Sequence, residues 1–320
     1  MGRERFFVTG ATGCIGSWIV RNLLKEGFPV RATVRDSSTH RLRMIMTDRE
    51  LEKVDFVKCD ITDRNLLKDA VSDFGTTHII HLAALQLPFC SENPPLGARV
   101  NVEGTVNVFE AAVSSGVDRV VFASSAAVYG LKEEYEDGRI TDESPLNPRS
   151  HYGVYKVANE GISRVYSIER GLASIGLRPH VVYGPGRDQG LTSAPTKAIY
   201  AAVCGEDFHA AFGGSFTLQY TEDTANAFIK AAMVAFEGSR VFNIGGPPVS
   251  MSEVISIIEE IFPSMKGRIT YEDKSLPFPE EMDNKALVEL IGNPIQTTLQ
   301  NGVEKTARIL RDAVERRIIK

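Results

Sequence analysis

The stretch Phe6-Phe7-Val8-Thr9-Gly10-Ala11-Thr12-Gly13-Cys14-Ile15-Gly16 decides the fold. Residues 6–8 are a short apolar run, and Ile15, Ile19, Leu23 and Leu24 then recur at helical spacing. Strand, glycine-rich turn and helix therefore stand in the order a dinucleotide fold requires. Gly10 permits the tight turn, Gly13 lets backbone approach a pyrophosphate, and Gly16 lets the helix pack close to the strand. Free N–H groups of the helix start then face the anion, and the helix dipole adds to the attraction. The spacing is G-x-x-G-x-x-G, which departs from the G-x-G-x-x-G of the common fingerprint.

Outward from that turn, apolar strands alternate with amphipathic helices. The pattern predicts strands at 6–8, 30–34, 55–58, 78–82, 119–123 and 173–178, and helices at 16–26, 65–71, 100–115 and 151–170. Such alternation builds an α/β fold, a doubly wound parallel sheet of Rossmann type with right-handed crossovers. Ligands in such sheets bind outside the carboxyl ends of the strands. The glycine turn, Ala83-Ala84, Ser124-Ser125 and Pro179-His180 all lie just past predicted strand ends. After about residue 185 glycines and prolines make the pattern less regular. The expected division is a nucleotide-binding domain over 1–185, to which 221–246 returns, and a smaller interleaved substrate lobe over 186–220 and 247–320. A helix at 221–233, a strand at 240–244 and a charged helix at 301–317 complete the reading.

Tyr152 and Lys156 stand four residues apart in Ser150-His151-Tyr152-Gly153-Val154-Tyr155-Lys156. A helix turns once in about 3.6 residues, so the two share a face. An ammonium beside a phenol favours phenolate, and a tyrosine with a lowered pKa is a usable general acid/base near neutral pH. Tyr152 is the expected acid/base and Lys156 the group expected to lower its pKa. Tyr155 adjoins Lys156 and points about 100° away around the helix. A third group should hydrogen-bond the substrate oxygen whose proton moves, and Ser124 and Ser125 both follow a predicted strand end.

With these elements in view, the chain resembles the extended short-chain dehydrogenase/reductases, the NAD(P)-dependent epimerase/dehydratase family, nearly end to end. Family-like stretches include Cys59-Asp60-Ile61, His81-Leu82-Ala83-Ala84, Asn101-Val102-Glu103-Gly104-Thr105 and Ser124-Ser125-Ala126-Ala127-Val128-Tyr129-Gly130. Arg178-Pro179-His180-Val181-Val182-Tyr183-Gly184-Pro185-Gly186 and Phe242-Asn243-Ile244-Gly245-Gly246 follow. The family's catalytic hydroxyl precedes the V-Y-G tyrosine by four positions, which selects Ser125 over Ser124. The resemblance implies that Lys156 also holds the nicotinamide ribose hydroxyls and that Asp60-Ile61 meets the adenine. It implies a cofactor site of Gly10, Thr12, Gly13, Cys14, Ile15 and Gly16, then Leu82, Ala83 and Ala84, then Pro179, His180 and Val181. Asp60 could instead cap a helix near Asp63, and Asn101 could serve only as the N-cap of its own helix. A homodimer through helices 100–115 and 151–170 is also implied, although their apolar faces could equally be core.

The cofactor's identity turns on Thr33-Val34-Arg35-Asp36. An NAD enzyme places a carboxylate there to accept from the ribose 2′-hydroxyl, and Val34 occupies that place. Arg35 can bind and stack on a 2′-phosphate adenosine, with His40 and Arg41 as nearby positive charge. NADP is the favoured cofactor; Asp36 would rescue NAD if the loop shifts by two residues. Nucleotide-sugar members usually carry R-P-x-N, where this chain has Val181, and an arginine where it has Phe216. A diphosphate would lose charge-assisted hydrogen bonds of about 1.5–3 kcal/mol each, unless Arg187 or Lys197 compensates. The expected substrate is therefore a small sugar, sugar acid or related hydroxyl or carbonyl compound. Nucleotide-sugar 4-epimerisation or dehydration is the alternative reaction, and an NADP-sensing regulator the alternative of another class. A sensor needs none of Ser125, Tyr152 and Lys156.

Composition fits a soluble globular protein, with 43% apolar and 24% charged residues. A net charge of −5 without a dominant basic patch argues against nucleic acid, and no run of membrane length is present. Four cysteines without paired spacing suggest neither metal nor disulfide and read as buried small hydrophobes in a reducing, cytoplasmic compartment.

Overall fold

Seven parallel strands form the central sheet, in the order Ser239–Asn243, Ala173–Arg178, Arg119–Ala123, His78–His81, Phe6–Thr9, Val30–Val34, Asp55–Lys58. The computed structural model describes residues 4–35 and 38–320. Phe6, Phe7, Val8, Ile79, Ile80, Val120 and Val121 are all buried, because helices cover both faces of the sheet. This two-sided burial explains why the strands read as continuous apolar runs. Phe6 and Val8 belong to one core with Trp18, Leu23 and Phe228; Phe7 faces the opposite core with Phe109 and Phe122.

Residues 221–246 supply the helix Thr221–Met233, packed on helix Cys14–Lys25, and the edge strand Ser239–Asn243. A separate cluster around Phe212, Phe216, Met251, Ile258, Val303 and Leu310 lies under a three-stranded sheet of Val181–Tyr183, Ser215–Tyr220 and Pro248–Ser250.

Several expectations are corrected. The predicted helix at 100–115 opens as a π-helical turn, Arg99–Glu103, before the α-helix Gly104–Ser114. Asn101 lies inside that turn, so it is not an N-cap; its amide holds Leu85, accepting from the N–H at 2.7 Å and donating to the carbonyl at 2.9 Å. Short helices His40–Ile45, Asp48–Leu51, Leu87–Glu92 and Pro94–Ala98 occupy stretches with no helical expectation. The cysteines are all free, but Cys204 is exposed and Cys14 only half-buried.

Candidate active site

The glycine turn is built as a cradle. Gly10 adopts φ +67°, and a Cβ there would lie 2.7 Å from the Ala83 nitrogen. A Cβ on Gly16 would collide with the Gly10 carbonyl. No side chain caps the helix that starts at Cys14, so its first N–H groups are left for a ligand. Beneath the turn, Thr9 Oγ1 lies 2.7 Å from His81 Nδ1 and accepts from the Leu82 and Ala83 N–H groups at 3.2 Å. His81 Nε2 meets Thr105 Oγ1 at 3.0 Å. Burial, assisted by the Lys156 charge, pushes the His81 pKa down to about 3. The neutral ring thus ties two strand ends together. A cradle that any added Cβ would fill suits the close passage of a dinucleotide pyrophosphate.

Ser150 caps the helix His151–Arg170, its hydroxyl accepting from Gly153 N–H at 3.1 Å, and Gly171 ends it in the left-handed region. An added Cβ on Gly153 would strike the Ala127 carbonyl, so helix and serine turn touch there. That contact sets Tyr152 beside Ser125, close enough for the serine hydroxyl to act on the phenol. One turn on, Lys156 is buried, its Nζ donating to the Ala123 carbonyl at 2.6 Å and standing 5.5 Å from the Tyr152 ring centroid. Another turn on, Glu160 accepts from Ser124 Oγ and pairs with Arg178 at 2.8 and 2.7 Å. Arg178 continues to the Tyr129 hydroxyl at 2.6 Å, which donates to Asn243 Oδ1 at 2.7 Å. Ser124 is therefore part of a buried ionic network, and Ser125 is the hydroxyl that faces the phenol.

The electrostatics differ from the expectation that Lys156 lowers the Tyr152 pKa. Burial raises the phenol, with the Ser125 hydroxyl and the Arg187 charge working the other way. Burial also brings Lys156 down to about 8, although Cys90 and Glu160 oppose it. The ammonium donates to a carbonyl and lies over the ring, and Arg187 is the cation acting on the phenol. Arg187 follows the Gly184-Pro185-Gly186 turn; its Nη2 donates to Thr192 at 2.6 Å and its buried Nε has no partner among the described residues. Lys197 is exposed.

Other expected residues fall at varied places. Leu82, Ala83 and Ala84 line the cradle half-buried. Asp60 is exposed and does not cap the next helix, which Asp63 caps; it accepts from Thr62 N–H at 2.9 Å. Burial acts against the Asp60 charge, but the Thr62 hydrogen bonds and the Arg35 and Arg99 charges hold its carboxyl below the usual range. Arg35 thus stands at the exposed rim near Asp60; Asp36 lies outside the described residues. His40 and Arg41 are not free cations, because both meet Asp188, a partner that nothing local in the sequence signals. Pro179 accepts from Ala126 N–H at 2.9 Å. The His180 ring turns toward Pro279 O at 2.8 Å and Phe278, where burial drops its pKa to about 4. Val181 and Phe216 are fully buried in the cluster under the three-stranded sheet.

A model of the NAD dependent epimerase/dehydratase family matches residues 6–245. The chain belongs to this family. It is 32% identical over 324 residues to a UDP-glucose 4-epimerase of Mycolicibacterium smegmatis, covering 96% of this chain and 99% of that one. A UDP-glucuronate 4-epimerase of Arabidopsis thaliana is 30% identical over 94% of this chain and 74% of its own. The crystal structure of Thermus thermophilus UDP-glucose 4-epimerase in complex with NAD superposes with a TM-score of 0.82 at 27% identity, covering 96% of this chain and 99% of that one. As a family member the chain is a nicotinamide-dinucleotide-dependent enzyme of the extended short-chain type, and its Rossmann-type fold is shared with these relatives. Among the described residues no helix is long and apolar enough to cross a membrane, and no group of three or more His, Cys, Asp or Glu could hold a metal.

Proposed function

We propose that the chain moves hydride between a nicotinamide cofactor and a hydroxyl or carbonyl of a small sugar, sugar acid or related compound, with Tyr152 as acid/base. The observation that carries this reading is the placing of Tyr152 beside Ser125 and buried Lys156, at the strand ends that meet the glycine cradle. When bound, the nicotinamide ring accepts or donates hydride at its C4. Ser125 Oγ holds the reacting oxygen, Tyr152 Oη takes or returns its proton, and Lys156 holds the ribose hydroxyls. Burial keeps the phenol protonated, which suits donation to an oxygen that gains charge. Residues 186–220 and 247–320 form the substrate lobe. Exposed Val154, Val165 and Ile168 on helix His151–Arg170 support a homodimer through that helix, and four unpaired cysteines support a cytoplasmic setting. The test is a screen of free sugars, sugar acids, alcohols and nucleotide sugars by absorbance of the reduced nicotinamide; no turnover of any class sinks the reading.

NADP(H) is the proposed cofactor. Val34 stands where an NAD enzyme needs a carboxylate, with Arg35 exposed beside it. A charge-assisted contact of about 1.5–3 kcal/mol corresponds to roughly ten- to a hundredfold tighter binding. Calorimetric titration is expected to show that preference in the parent and its loss in Arg35→Ala. Equal parent affinities, or a preference that survives the substitution, remove the assignment.

The substrate is proposed to be unconjugated, because Val181 and Phe216 place apolar, core-filling groups where nucleotide-sugar members carry an asparagine and an arginine. An apolar site leaves a buried diphosphate unpaired. The second reading, nucleotide-sugar 4-epimerisation, is favoured by the relatives' names and by the unpartnered Nε of Arg187 near Tyr152. Titration with UDP and UDP-glucose separates the two: no heat is expected, and micromolar binding displaced by neither cofactor establishes the epimerase reading.

A further inference from the structure

The loop 184–190 leaves the substrate lobe and touches the segments that follow three strands of the large sheet. Pro185 O accepts from Trp18 Nε1 at 3.2 Å, behind the glycine turn. At Gly186, φ +94°, an added Cβ would stand 3.5 Å from both Cys14 Cα and Arg41 Cδ. At Gly190, φ +83°, it would stand 2.9 Å from Gln86 Oε1, beyond the strand His78–His81. The loop therefore crosses the cleft between the glycine turn and the segment after Ala84.

One ion pair fastens it. Asp188 Oδ1 accepts from Arg41 Nη2 at 2.7 Å and Asp188 Oδ2 from Arg41 Nε at 3.0 Å, a two-pronged contact. His40 Nε2 lies 3.3 Å from the same Oδ2. The third arm of Arg41 donates to the Thr12 carbonyl at 3.1 Å, inside the glycine turn. One guanidinium thus joins the cradle to the loop above it. Burial works against the Asp188 charge, but Arg41 and His40 hold its carboxyl below the usual range.

We propose that Asp188 straps the 184–190 loop across the dinucleotide cleft through Arg41 and His40, as a positioning residue that keeps bound nicotinamide dinucleotide from leaving. The inference rests on the reading that the dinucleotide lies along the 10–16 turn. A loop held at Trp18 and Arg41, and abutting Gln86, must move aside at one end before a ligand beneath it departs. The pair at Asp188 is the partly exposed, charged attachment, so it is the one that opens.

The test loads the full chain with radiolabelled NAD or NADP, chases with unlabelled cofactor, and counts retained label over time. Asp188→Asn is expected to release either cofactor roughly five- to twentyfold faster, since a bidentate, partly shielded pair exceeds an ordinary surface pair. Arg41→Gln should match it. Added salt should speed release from the parent and leave release from Asp188→Asn nearly unchanged, because salt screens an exposed pair. Thermal unfolding is expected to stay within about 2 °C of the parent, which separates the strap from a general loss of structure. Release from Asp188→Asn within about twofold of the parent overturns the strap, as does a change in the NADP-to-NAD ratio with both release rates unaltered. Label that binds neither protein overturns the placement of the cofactor itself, and the strap with it.

Discussion

Tyr152→Phe lowers turnover by about 10²–10⁴-fold while cofactor affinity stays close to that of the parent. The substitution deletes one oxygen and its proton and leaves the ring, so the Lys156 ammonium keeps its 5.5 Å approach to the ring centroid. Lys156 also keeps its carbonyl partner at Ala123, and Ser125 keeps the Ala127 N–H at 3.1 Å. What disappears is the proposed proton carrier beside Ser125. Tyr155 cannot stand in, because its hydroxyl is committed to the Pro94 carbonyl at 2.9 Å. The measurement is single-turnover reduction of cofactor with the substrate found by screening, beside calorimetric cofactor titration. A variant that keeps more than roughly a tenth of the parent rate means that another residue carries the proton.

Glu160→Gln is the second large effect, and it acts on stability. Glu160 and Arg178 have side-chain exposures of 8% and 5%, and the guanidinium remains charged in that setting. Burial alone would lower the Arg178 pKa; the hydrogen bonds and charge of Glu160 outweigh it and raise it. Removing one partner of such a pair leaves a buried charge unpaired, which costs about 3–5 kcal/mol. Urea unfolding should show that loss. The double variant Glu160→Gln with Arg178→Met should recover much of it, since no buried charge then remains. A loss below about 1 kcal/mol in the single variant would show that water reaches Arg178.

The inner strands were legible because burial on both faces gives them short apolar runs such as Phe6–Val8 and Val120–Phe122; the bounds of Val30–Val34, Asp55–Lys58, Arg119–Ala123 and Ala173–Arg178 match expectation residue for residue. The Tyr152 helix was legible from its amphipathic pattern over 151–170, and the structure ends it with a Ser150 cap and Gly171. Helices of four to six residues, such as Asp48–Leu51 and Leu87–Glu92, are too short to show a period and were missed. The seriate family motifs brought Tyr152, Lys156 and Ser125 to notice, but not their charge state. A pKa depends on how deeply a group is buried and on what the fold brings beside it, as Arg187 is brought beside Tyr152. Asp188 was unreadable for the same reason: its partners lie 147 and 148 positions away.

Trp18 is the single tryptophan of the chain, 2% exposed, and its indole N–H holds the root of the 184–190 loop at Pro185. Arg21 lies over its ring at 5.0 Å. The molecule therefore carries one indole fluorophore, placed between the glycine turn and the 184–190 loop. Its emission overlaps the absorption of a reduced nicotinamide ring, so quenching and energy transfer can report loop position and cofactor redox state together, in unlabelled protein and without a background from other indoles.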